Sequence, residues 1–204
     1  MLVYPTYFSP IAHFVALVNA KHIIFETCDN FQKQTYRNRC FIFGPQGKQL
    51  LNIPVERANS KQPTKDIKID YDRPWQDQHL KAITTSYNSS PFYEFFDREL
   101  AELFAQKETF LLDFNLRCHE FILDALQLDL GPIKQTVVFE KEQGTVADYR
   151  FLVDAKATKH YGFKPYTQVF SDRHGFIENL SILDLLFAEG GNSANYLESQ
   201  IFDW

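Results

Sequence analysis

Residues 39–55, Arg39-Cys-Phe-Ile-Phe-Gly-Pro-Gln-Gly-Lys-Gln-Leu-Leu-Asn-Ile-Pro-Val55, place two strand-like runs, Arg39 to Phe43 and Gln49 to Val55, around Gly44-Pro-Gln-Gly47. Gly and Pro between aromatic and aliphatic runs read as the turn of a hairpin. Upstream, Val3 to Phe8 reads as an opening strand and His22 to Thr27 as a second. Between them Ile11, Phe14, Val15 and Val18 recur at a helical period over Ile11 to Ala20, with Pro10 in the first turn and Ser9 as cap. Downstream, Glu56 to Lys65 is polar and reads as a mobile loop. Asp66 to Tyr71 alternates Ile67 and Ile69 with polar residues, as an edge strand does.

The middle of the chain is helical. Trp75 to Tyr87 carries apolar residues at 75, 80, 83 and 87 and ends at Asn88-Ser-Ser-Pro91. A second helix runs to about Ala105, and a third from about Thr109 to Leu128, before Gly131-Pro132. Thr136 to Glu140 and Tyr149 to Asp154 read as strands, and Ile182 to Glu189 as a helix halted by Gly190-Gly191. Strands first, helices in the middle and mixed elements last give an α+β, or irregular α/β, fold. At 204 residues without an internal repeat, residues 1–204 read as a single domain. The final Ile201-Phe-Asp-Trp204 is apolar enough to cover the core or a partner.

Charge narrows the function. A net charge of -5 argues against nucleic-acid binding, which needs broad phosphate neutralisation, yet is compatible with a small basic pocket for an anionic or sugar ligand. The three cysteines, Cys28, Cys40 and Cys118, have no CxxC spacing, so the expected compartment is a reducing cytoplasm and the thiols read as buried and inert. No secretory signal and no apolar run of about 20 residues is visible, so no transmembrane segment is expected. Six scattered histidines form no metal-ligand motif, and no GxSxG, GxGxxG, Walker A or HExxH string is present. The expectation is no metal site, with cofactor and oligomeric state left open.

Unusual residues gather in three clusters, which suggests one composite pocket. In the first, Arg37 and Arg39 flank Asn38, so on a strand both arginines face one way. With Lys33 nearby they are either an anion clamp or partners of the acidic residues between Asp66 and Asp72. In the second, Trp75, His79, Ile83 and Tyr87 form a helical stripe. His79 is either a satisfied core histidine or a general acid/base, with Trp75 and Tyr87 stacking on a sugar. In the third, His174 precedes Gly175 on a turn and is a second candidate acid/base. Asn179 can offer an amide to a ligand, whereas Ser181 and Asp184 have capping-box spacing.

The opening Tyr-x-x-Pro segment, Lys33 with Tyr36-Arg-Asn-Arg39, Trp75-x-x-x-His79 with Tyr87, and Gln168-Val-Phe with Asn179-Leu-Ser-Ile-Leu-Asp-Leu-Leu-Phe187 together resemble the WbqC-like family, from about Tyr4 to Leu197. One departure is Tyr4-Pro5, where a Gln-Pro pair is expected in many relatives. The family is associated with bacterial O-antigen and other surface-polysaccharide gene sets. The resemblance implies a transferase that tailors a sugar or its precursor by acyl or aminoacyl transfer. The alternatives are a non-catalytic binder of a sugar or nucleotide-sugar and a cysteine-dependent hydrolase.

Overall fold

A computed structural model of the chain describes residues 1–57, 59, 61–141, 146–157 and 159–200. Three two-residue strands, β1 (Leu2–Val3), β2 (Ile24–Phe25) and β5 (Lys134–Gln135), form a parallel sheet in the order β1-β2-β5. The first helix, α1 (Ile11–Val18), makes the crossover from β1 to β2. It is buried almost all round, from Ile11 to Leu17, which is why its sequence is apolar on every face.

The hairpin forms as read. Its strands, β3 (Arg39–Gly44) and β4 (Gly47–Asn52), pair antiparallel from Arg39↔Asn52 to Gly44↔Gly47. Gly47 takes φ 96°, which a side chain would strain. The helices α2 (Trp75–Tyr87), α3 (Asp97–Ala105) and α4 (Leu111–Leu126) follow, with α2 packed on α3 and β3. The last part holds α5 (Ser171–His174), α6 (Ile182–Glu189) and α7 (Ser193–Ser199). Small sheets around packed helices make this a mixed α+β fold, and no described helix is long and apolar enough to cross a membrane.

Several local expectations change. The opening strand ends at Val3 because the chain turns away, and the Tyr7 amide donates to Tyr36 O instead. The run from Asp66 to Tyr71 makes only single bridges, Lys68 with Phe110 and Ile69 with Val55. Thr136 to Glu140 is not a strand; its ladder lies just before it, at β5. Tyr149 to Asp154 is no strand either: Asp148 accepts the Arg150 amide at 3.0 Å and starts a 3-10 turn over Arg150–Val153. The polar loop after Glu56 is pinned where Phe31 N donates to Gln62 O and Thr64 N to Asp29 O. Ala58 and Ser60 of that loop, and Ile201 to Trp204, lie outside the described residues.

The caps also differ from expectation. Ser9 does not cap α1; its hydroxyl shares a hydrogen bond with Thr6. Asn179 caps that helix from across the chain, accepting the Ala12 amide at 2.8 Å, while Leu180 O accepts the Ile11 amide. Ser181 does cap α6, accepting the Leu183 amide. Asp184 is turned inward instead of completing a capping box.

Candidate functional site

The site is built outward from a buried ion pair. Arg37 belongs to a turn before β3, where the Asn38 amide donates to Thr35 O, so it does not share a strand face with Arg39. Its guanidinium donates to Asp29, not to an acid between Asp66 and Asp72, and Asp29 also accepts from the Thr64 hydroxyl at 2.7 Å. The Tyr4 ring lies over Arg37, 3.8 Å from its centroid to the guanidinium carbon. The pair is sealed from solvent and serves as a prop beneath Tyr4.

Tyr4 in turn lines an open groove of about 490 Å³. Lys33, Gln34 and Thr35 form one wall; Arg150, Phe151, Asp154 and Lys156 form the other. Gln34 holds φ 65°, a left-handed corner that turns the chain between Lys33 and the buried Thr35. Arg150 is fixed by a fork on Asp148, with Nε 2.9 Å and NH2 2.6 Å from its oxygens, and by the Glu140 and Lys141 carbonyls at 2.8 Å. That fork holds the Asp148 carboxyl below the usual range. Lys33 and Lys156 are exposed and have no ion-pair partner among the described residues.

The groove can therefore present two unpaired ammonium groups to an anion beside the Tyr4 and Phe151 rings. Burial, with Asp29 adding to it, pushes the Tyr4 phenol well up, so it stays neutral. A neutral phenol is a hydrogen-bonding wall, not a base. Tyr4 occupies the position at which the opening sequence departs from the expected Gln-Pro pair.

The remaining candidates lie elsewhere. His79 sits inside aromatic packing, its Nδ1 sharing a 2.8 Å hydrogen bond with the Tyr7 hydroxyl and its ring 5.2 Å from Trp75. Burial lowers its pKa to about 4, against a smaller upward pull from the Asn52 backbone, so the ring is neutral near pH 7. Trp75 is buried in the same cluster. Tyr87 donates to Asp184 Oδ1 and accepts the Phe43 amide, both at 2.9 Å, while Tyr166 and Gln168 donate to Asp184 Oδ2. His174 ends α5 and is exposed; its Nε2 lies 3.0 Å from Pro45 O on the hairpin turn. Asn38 donates to Ile53 O, and Arg39 donates to the Asn52 side chain.

Of the candidate site residues, Lys33 alone lines the groove, with Arg37 behind it. Tyr4, Arg150, Phe151 and Lys156 carried no motif. Reading 149–154 as a strand dispersed them, and the departure at Tyr4 was the only pointer. Cys40 and Cys118 are buried, and burial pushes both thiols up, away from the thiolate a nucleophile needs. Cys28 is half-buried beside Thr136 O. Among the described residues no group of three or more His, Cys, Asp or Glu could hold a metal ion.

No curated protein and no solved structure matches the chain. The family model described as the WbqC-like protein family matches residues 4–161, well over half of the 204-residue chain. Every residue of the groove falls within that match. The chain therefore belongs to the WbqC-like protein family.

Proposed function

We propose that this protein is a cytoplasmic transferase that tailors a sugar or sugar precursor, by acyl or aminoacyl transfer, in bacterial surface-polysaccharide biosynthesis. The groove would hold the anionic part of that substrate. The observation that carries the reading is local cationic charge. In a chain of net charge -5, Lys33 and Lys156 bring unpaired positive charges to one aromatic-lined groove inside the family-matched region, where Arg150 is already matched by Asp148 and Asp154 adds a carboxylate. Lys33 and Lys156 supply ammonium groups for a phosphate or carboxylate, and Tyr4 and Phe151 supply apolar faces for a sugar ring.

One observation favours a second reading, a non-catalytic binder of the same ligand. The buried His79 lines no part of the groove, and its lowered pKa makes it a weak base. Isothermal titration against a nucleotide-sugar and a simple diphosphate tests the groove. The Lys33→Ala/Lys156→Ala variant should bind at least about tenfold more weakly, because each charged contact contributes on the order of 1 kcal/mol at a solvent-exposed site. Unchanged affinity removes the groove from the argument. Mass spectrometry of the sugar after incubation with acyl or aminoacyl donors separates the two readings: a mass increase identifies a transferase, and binding without turnover a binder.

A further inference from the structure

Exposed apolar surface lies close to the groove, joined to it through Arg150. Val137, Val138 and Phe139 are 94, 60 and 42% exposed, and Phe151, which lines the groove, is 49% exposed. Such a run on a water-facing surface is unfavourable unless something covers it. Arg150 joins the two regions. It lines the groove, its guanidinium lies 5.4 Å from the Phe139 ring centroid, and it donates to the carbonyls of Glu140 and Lys141. The apolar run is thereby held beside the cationic groove.

We infer that the ligand of this groove is an amphiphile: a phosphate or diphosphate ester bearing a hydrocarbon chain, its anion on Lys33 and Lys156 and its chain over Phe151, Phe139 and the two valines. This rests on the groove reading above and narrows its substrate from a soluble anion to a lipid-linked one. Charge complementarity selects the anion, and the adjoining apolar side chains select the hydrocarbon. Four side chains are too few for a stable protein interface, which buries about 800 Å² per partner. They suffice for a chain, since about two newly buried methylenes give a tenfold gain in affinity.

The test compares methyl diphosphate with decyl diphosphate, below its micelle concentration, by calorimetry on the full chain. Decyl diphosphate should bind at least about tenfold more tightly. The Val137→Ser/Val138→Ser variant should lose most of that preference. Equal affinity for the two ligands overturns the inference, and Lys33-dependent binding of methyl diphosphate would still leave the groove reading standing. If neither ligand binds, both fail. A chain preference that persists in Lys33→Ala/Lys156→Ala is adsorption of hydrocarbon unconnected to the groove, and overturns the inference. So does cosedimentation with anionic phosphatidylglycerol vesicles without a preference among the monomeric ligands, which would make the apolar run a bilayer contact.

Discussion

Arg37 and Asp29 are 1 and 3% exposed at their side chains, so neither charge is reached by water and each is tolerable only because of the other. Removing Arg37 leaves Asp29 with the Thr64 hydroxyl and the neutral Tyr4 phenol around a buried negative charge. Arg37→Ala should therefore cost about 3–5 kcal/mol of stability, a large part of the roughly 5–15 kcal/mol a domain possesses. Urea unfolding measures this. Arg37→Met with Asp29→Leu should recover most of the loss, because no isolated charge remains. Recovery would show that the loss comes from the isolated Asp29 charge. Buried histidines add a second residue-scale effect. His79 and His119 titrate near 4 and His13 near 3 in the folded chain, against 6.5 for an ordinary imidazole, because burial disfavours the charged ring. Unfolding at pH 5 thus takes up protons that the native state does not hold. Their stabilising contribution is complete above about pH 6.5 and is lost as pH falls towards 4, at up to about 1.4 kcal/mol per pH unit for each ring. The urea midpoint should fall over that window, and His79→Gln should flatten the slope by about one proton.

At the scale of elements, long-range caps and short ladders decide what sequence alone shows. The helices α2 and α6 were legible because their apolar spacing and their stops at Asn88 and Gly190 are local. The two-residue strands of the parallel sheet were not, since two residues carry no period and their partners lie far along the chain. The cap of α1 is hidden from local pattern for the same reason: it is Asn179, 167 residues from Ala12. Asn179 holds φ 54°, where Gly is free and Asn is tolerated, but most residues with a Cβ, Ala included, are strained. Asn179→Ala should lose both the cap and the backbone fit, about 2 kcal/mol together. Asn179→Gly loses only the cap, so its thermal midpoint should fall by distinctly less. Equal losses for the two variants would mean that the left-handed backbone carries no strain.

At the scale of the whole molecule, the groove sets two unpaired lysines on a negative protein, in a lining drawn from residues 4, 32–35 and 150–156 that no sequence spacing connects. Composition ruled out a nucleic-acid surface but could not locate the groove. Its cations come from two segments far apart in the chain, and Arg150 reaches it only because Asp148 starts a turn where the pattern suggested a strand. The two charge scales predict opposite salt responses. At contact distance the exposed Lys33 and Lys156 attract an anion, and added salt screens that attraction; further out, the net charge of -5 repels it. Pyrophosphate binding to the unaltered protein should therefore weaken as salt rises from about 50 to 500 mM, over which the Debye length shrinks from roughly 14 to 4 Å. In Lys33→Ala/Lys156→Ala the net charge becomes -7, that is -5 less two lysine charges, and mainly the repulsion is left. Residual binding to that variant should be insensitive to salt or improve slightly. A steep loss with salt in both proteins would place the anion on other cations and remove the groove from the functional reading.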